Sequence, residues 1–508
     1  MTEHDLTLVA GSAETSCGPD VVELQHLIDG NWTDSASGET FERHSPASGQ
    51  LISRASRGDA SDTEKAIAAA RKAFDDRRWS DVPGAERARF LNRVADLIDT
   101  NRTRIARLET QESGKPISQA EAEIEGAANI WRYAATLAWN IRGESQNALG
   151  PDMLGMVLKV PVGVVSIITP WNFPFLIVSQ KLPFALAAGC TAVIKPSELT
   201  SATTVLLGQL LIEAGLPAGV VNIVLGYGDP VGTVMTTHAD VDMVSFTGST
   251  GVGKSIVAAT SATLKKVSLE LGGKNPQVIF ADADLDEAAD AIVFGVYFNA
   301  GECCNSGSRI IVHEDVADAL NEKIVALSRK VPFGDPMNPE TRVGAIISKT
   351  HQDRIDGYVR QAVDAGARVL LGGEALSIDG LSGNFYQPTV VADVGAQMPI
   401  ATEEVFGPVL SVLTFRTFDE AIALANTASY GLSAGVWSDN VHTCLEFVRR
   451  AEAGTVWTNT WMDGYPELPF GGVKESGLGR ELGSGGIEEF LELKTVQMRI
   501  GKTRQKWV

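Results

Sequence analysis

A chain of 508 residues with a formal net charge of -20 has no basic stripe to receive a phosphate backbone, which argues against a nucleic-acid partner. Hydrophobic residues at 44% and charged residues at 21% describe an ordinary globular protein of about two to four domains. No apolar run reaches the length of a membrane span, the N-terminus lacks a secretory pattern, and five scattered cysteines give no disulfide framework, so a cytoplasmic, reducing compartment is expected.

Residues 1 to about 20 are small and polar and are expected to be poorly ordered, with structure starting near Leu27. Apolar residues at helical spacing predict amphipathic helices over 62–75 and 85–98, the second placing Phe90, Leu91, Val94, Leu97 and Ile98 on one face. From about 162 the pattern changes to short β-rich runs between helical stretches, at 162–168, 191–194, 220–225 and 243–247. A second series follows Glu270, at 277–280, 309–313, 409–415 and 454–458. Strands alternating with helices imply βαβ units, hence an α/β protein with two buried parallel sheets. The segments 153–160 and 496–500 read as additional edge strands and candidates for subunit contact.

Three local patterns carry chemistry. GSTGVGKS, residues 248–255, fits a phosphate loop, with Lys254 and Ser255 at the lysine and hydroxyl positions, and supports a nucleotide triphosphatase as a rival reading. A helix beginning at Asp284, with Glu287 at capping-box spacing, leads into FNAGECCNSGSR, residues 298–309, and delivers Cys303 and Cys304 in a glycine-bordered turn. Glu270, 34 residues before Cys304, ends an apolar run, so a buried carboxylate and a thiol nucleophile are both on offer. The seven histidines lack ligand spacing and fall in none of these motifs, and no metal site is expected.

TPWNFPF (169–175), KPSE (195–198), FTGSTGVG (246–253), LELGGK (269–274), the cysteine segment, EEVFGPV (403–409) and PFGGVKESGLGRELG (469–483) occur in that order. Together they resemble the NAD(P)-dependent aldehyde dehydrogenase superfamily over about residues 27–505, and betaine aldehyde dehydrogenase-like members within it. The resemblance implies a dinucleotide-binding domain over 20–138 and 162–272, a catalytic domain over 273–484, and a small β oligomerisation domain from 139–161 and 485–508, assembled as a homodimer or homotetramer. It makes Cys304 the nucleophile, Asn172 the oxyanion donor, Glu270 the base that activates water against the thioester, and Lys181 and Glu481 their neighbours. For the cofactor it assigns Lys195, Ser197 and Glu198 to the adenosine ribose, Gly248 and Ser249 to the pyrophosphate, Glu404 and Phe406 to the nicotinamide ribose and ring, and Trp171 to the site wall.

A carboxylate on the ribose 2'-hydroxyl repels a 2'-phosphate, so NAD is expected in preference to NADP. The substrate implied is a small aldehyde, with cationic amino aldehydes such as betaine aldehyde first and neutral hydroxylated or aromatic aldehydes second. Trp461, Asp463 and Glu467 support the first choice as parts of a tunnel loop similar to that of the betaine aldehyde enzymes, and the two carboxylates are expected to attract an ammonium group. Phe173 and Gln180 depart from that group. Glu302 stands where the family usually has glutamine and is expected to raise the Cys304 thiol if it faces the sulfur. Arg309 and Gly301 read as structural.

Overall fold

The computed structural model describes residues 6–9, 21–501 and 507–508. An eight-stranded sheet runs in the order Gly477–Leu478, Lys266–Glu270, Met243–Thr247, Val164–Ile168, Thr191–Lys195, Val221–Ile223, His26–Ile28, Asn31–Thr33. Its five middle strands, from Lys266–Glu270 to Val221–Ile223, are parallel, as the alternation of β-rich runs and helices requires. Every residue of Val164–Ile168 and Thr191–Lys195 is buried, because helices cover both faces. The helices Gly84–Thr100, Ile117–Ala138, Pro174–Ala188 and Ala202–Glu213 close one face around Trp131, Phe175 and Phe184; Ala60–Asp75 and Thr250–Thr260 close the other around Val244, Ile256 and Leu269.

A seven-stranded sheet runs in the order Arg368–Leu371, Thr389–Ala392, Val409–Phe415, Arg309–His313, Pro276–Ile279, Ser433–Trp437, Thr455–Thr458, with only Arg368–Leu371 antiparallel to its neighbour. The strand Gly477–Leu478 is given back from this later part of the chain to the first sheet, where it pairs with Leu269 and Glu270. Arg309 is structural: its guanidinium donates to the carbonyls of Leu424 at 3.2 Å and Ala425 at 2.9 Å.

The two segments read as free edges pair with each other. Leu491–Arg499 lies antiparallel to Met153–Pro161, which also takes Glu144–Gln146, so one long strand remains an edge. The expected start of order near Leu27 is corrected: Leu8–Val9 pairs with Phe333–Gly334 and Val22–Leu24 pairs with Leu51–Ser56, while residues 1–5 and 10–20 lie outside the described residues. The helix Ile117–Ala138 was not singled out by its spacing. Its buried face is largely alanine, and short side chains leave little periodic contrast. No described helix is long and apolar enough to cross a membrane.

Candidate active site

The site forms where the first sheet's loops part. Val164–Ile168 lies between Thr191–Lys195 and Met243–Thr247, so the chain leaves it to one side and returns on the other, opening a crevice at the carboxyl ends of the strands. Trp171 and Asn172 follow the first of these strands, Gly248 and Ser249 follow Met243–Thr247, and Glu270 is the last residue of its own strand.

The second sheet supplies the thiol. Asp284 caps the helix Leu285–Tyr297 by accepting from the amides of Asp286 at 2.9 Å and Glu287 at 3.2 Å. Beyond the helix, Asn299, Ala300 and Gly301 all have positive φ, at 50°, 55° and 74°, and this left-handed turn reverses the chain into Cys303 and Cys304. The Asn275 side chain then donates to the carbonyls of Cys304 at 2.7 Å and Ser306 at 3.0 Å, fixing the segment from behind.

Two cavities meet at the thiol. One of about 220 Å³ is lined by Trp171, Asn172, Gly248, Ser249, Glu404 and Phe406 among others; one of about 660 Å³ is lined by Phe173, Gln180, Phe298, Trp457, Asp463 and Phe470 among others. Cys304 and Glu270 line both, together with Ile177, Thr247 and Leu271. Cys303 lines only the larger cavity and is otherwise packed against Phe173 and Ile177.

Burial pushes the Glu270 carboxyl well above the usual carboxylate range; the Glu481 charge adds to this, while Lys181 and Arg480 pull it back. Neither Glu270 oxygen has a hydrogen-bond partner. Lys181 donates to Glu481 and, at 3.2 Å, to Ser245 Oγ, so these two residues form a buried ion pair beside Glu270. The Cys304 thiol is raised by its hydrogen bond with Cys303 first, then by burial, then by the charges of Cys303, Glu404 and Glu270. Asn172 Nδ2 donates to the Glu302 carbonyl at 3.1 Å, and Asn299 Nδ2 donates to the Asn172 carbonyl at 3.0 Å. One of the two Asn172 N–H bonds is thereby used to orient the amide, leaving the other for a ligand.

In the smaller cavity, Glu404 accepts from the Gly273 amide at 3.1 Å, and burial pushes its carboxyl up to about 7. Trp171 and Phe406 meet edge to face with centroids 5.4 Å apart. These residues fit a dinucleotide: a Cβ at Gly272 would lie 2.3 Å from a Glu404 oxygen, so backbone comes close to the carboxylate, and Ser249 caps the helix Thr250–Thr260, whose N-terminus favours phosphate. Lys195, Ser197 and Glu198 lie outside this lining, at the end of the adjacent strand. Lys195 Nζ donates to the Pro196 carbonyl at 3.0 Å and stands 3.7 Å from Glu198, and Ser197 Oγ accepts from the Leu199 amide at 3.2 Å.

Four expectations change. Glu302 does not raise the thiol: its carboxyl accepts from the Ile347 amide at 3.0 Å, and it is not among the groups that shift Cys304. Trp461 is core, its ring filling the space a Cβ would need at Gly295, Gly307 and Gly435. Glu467 stands near Tyr133 and is absent from the lining of the larger cavity, which Asp463 reaches. Lys254 of the apparent phosphate loop pairs with Glu475 at 2.7 Å, and Ser255 Oγ donates to the Gly251 carbonyl at 3.1 Å, so both groups have partners within the protein.

Sequence reasoning missed His351 and Arg354, which line the smaller cavity, and Phe294, Phe298, Trp457 and Tyr465, which wall the larger one. A single histidine in a helix capped by Ser348 has no local signature, and aromatic residues on three separate elements become a wall only on folding.

The parallel sheet and its crevice define an α/β protein of the nucleotide-binding class. Residues 32–496 match the model of the aldehyde dehydrogenase family, and the chain belongs to that family. It is similar to the NAD-dependent aldehyde dehydrogenase of Sinorhizobium meliloti, whose crystal structure superposes with a TM-score of 0.96 at 50% identity, over 99% of each chain. It is 40% identical to the betaine aldehyde dehydrogenase of Bacillus subtilis (strain 168), over 95% of this chain and 98% of that one. It is 42% identical to the mitochondrial benzaldehyde dehydrogenase of Antirrhinum majus, over 92% of this chain and 88% of that one. The protein is an aldehyde dehydrogenase.

Proposed function

We propose that Cys304 is the nucleophile that carries an aldehyde to its carboxylic acid. The observation that supports this is the position of Cys304 and Glu270 in the walls of both cavities, where a substrate and a cofactor meet. The Cys304 thiolate attacks the carbonyl carbon, and the Asn172 side-chain N–H with the Cys304 backbone N–H holds the resulting oxyanion. Trp171, Gly248, Ser249, Glu404 and Phe406 would hold NAD, which would supply the acceptor for the hydride that this thiohemiacetal loses on becoming a thioester. Glu270 takes a proton from water as the water attacks the remaining thioester, which releases the acid and the Cys304 thiolate. Lys181 and Glu481 hold the charge balance beside Glu270.

The larger cavity favours an uncharged aldehyde with an aromatic or bulky apolar body. Phe173, Phe294, Phe298, Trp457, Tyr465 and Phe470 give it aromatic walls. Two of its other carboxylates are already paired with lysines, Glu123 with Lys115 at 2.5 Å and Glu481 with Lys181, while Asp463, at the exposed end, accepts from the Thr460 hydroxyl and keeps its charge. The likeness to a benzaldehyde dehydrogenase accords with this. A cationic amino aldehyde is the second reading, supported by Asp463 in the lining, by the same aromatic rings as cation-π partners, and by the likeness to a betaine aldehyde dehydrogenase. Assembly through the edge strand Leu491–Arg499 into a homodimer or homotetramer, and a cytoplasmic location, complete the proposal.

NADH formation against a panel of aldehydes is the test. Benzaldehyde is expected to give a higher kcat/KM than betaine aldehyde, and the reverse order would establish the cationic reading. Cys304→Ala is expected to abolish turnover with NAD still bound, whereas an active Cys304→Ala and a dead Cys303→Ala would move the nucleophile by one residue.

A further inference from the structure

Glu302 stands two residues before Cys304, lines neither cavity, and its carboxyl takes no part in the mechanism above. Its backbone carbonyl is the shared acceptor of Asn172 Nδ2 at 3.1 Å and Asn299 Nδ2 at 3.0 Å, so its peptide unit fixes the oxyanion donor. Its carboxyl, buried, accepts from the Ile347 amide at 3.0 Å and stands 3.8 Å from His351 Nε2. The same His351 nitrogen is 2.7 Å from the Phe406 carbonyl, the geometry of an N–H donor. The His351 ring meets Trp171 edge to face at 5.6 Å and Phe406 at 6.0 Å, and all three line the smaller cavity.

We propose that Glu302 is a positioning residue that sets, through His351, the Trp171–Phe406 wall against which NAD binds. The proposal rests on reading that cavity as the cofactor site. His351 has one N–H at Nε2 and two acceptors for it, the Phe406 carbonyl at hydrogen-bond distance and the Glu302 carboxyl 1.1 Å further off. While the carboxyl is neutral, the carbonyl wins and the ring braces Phe406. A negative charge on the carboxyl makes it the stronger acceptor and draws the ring away.

The surroundings fix the direction. Burial raises the Glu302 carboxyl well above the usual range, against the Ile347 amide, Lys115 and Arg43, which favour its charged form. Arg43 reaches it from the strand Thr40–His44, where its guanidinium also donates to the Glu112 carbonyl at 3.0 Å, and the Glu112 carboxyl lies behind. On the other side, burial and Arg354 push His351 down, so the ring is neutral across the working range, and Glu404 stands in the same cavity. Raising pH therefore charges Glu302 and not His351, and NAD binding weakens as it does.

Calorimetric titration of NAD into the Cys304→Ala enzyme over the pH range in which it stays folded reads this without turnover, so the test is independent of the assignment of the nucleophile. The dissociation constant is expected to rise with pH by about two- to tenfold, the scale of one ordinary hydrogen bond. Adding Glu302→Gln keeps an acceptor for the Ile347 amide but removes the ionisation, and is expected to flatten this dependence at the tighter, low-pH value. His351→Phe, which keeps a ring between Trp171 and Phe406 but has no N–H, is expected to flatten it too. A dependence that persists in Glu302→Gln, or none in the parent, overturns the proposal.

Discussion

At the scale of single residues, Glu270 does what its surroundings allow. It is buried with both oxygens unpartnered and held well above the ordinary carboxylate range, so the proposed base can act only where pH is high enough to ionise it. The steady-state rate is expected to fall as pH drops through that raised value. Glu270→Gln is expected to keep a burst of NADH and then lower the steady rate by about 10²-fold or more, the scale of a lost general base. Rapid-mixing absorbance measures both phases, and equal loss of burst and steady rate would place Glu270 in forming the thiolate instead. Cys304, Glu270 and Asn172 were legible because each sits in a short motif whose neighbours are fixed by backbone geometry. His351 was not, since what matters about it is its distance to Phe406 and Glu302, which are 55 and 49 residues away in the chain.

At the scale of elements, the turn after the helix Leu285–Tyr297 decides where the thiol stands. Gly301 combines φ of 74° with backbone contact so close that a Cβ would lie 2.1 Å from the Gly407 carbonyl oxygen. Gly407 sits just after Phe406, so the same contact ties the nucleophile segment to the cofactor cavity. Gly301→Ala is therefore expected to cost about 2–4 kcal/mol of stability, from left-handed strain and the forced separation of two backbones, with a matching loss of activity. Thermal unfolding alongside kcat measures it, and a variant of unchanged Tm would show that the segment can move apart freely. The sequence marked this glycine as structural, but nothing in it named Gly407 as the partner.

At the scale of the whole molecule, the edge strand Leu491–Arg499 carries Leu493 at 69% exposure, and its neighbour Met153–Pro161 carries exposed Leu158. A long edge strand with apolar side chains on a charged protein is a surface that needs cover. Wild-type protein is expected to run as a dimer or tetramer in light scattering, and Leu493→Lys to shift it to a smaller species; a monomeric wild type would remove this sheet from assembly. Both strands were expected, although the second begins five residues earlier than its expected start at 496; their pairing with each other brings together residues more than 300 positions apart, and register of that kind leaves no mark in local spacing.

What the sequence by itself determined was the alternation of buried strands and helices, hence a parallel α/β fold, and the motifs that carry the residues proposed as nucleophile, base and cofactor cradle. These depend on contacts within one strand, one turn or one helix cap, where neighbours in sequence are neighbours in space. Tertiary structure alone decided which carboxylates reach the tunnel, separating Asp463 from Glu467, and that Trp461 is core. It alone set the Glu302 carboxyl beside the Ile347 amide and His351. The reason in each case is the same: a side chain's direction is set by the elements packed against it, and those come from distant parts of the chain.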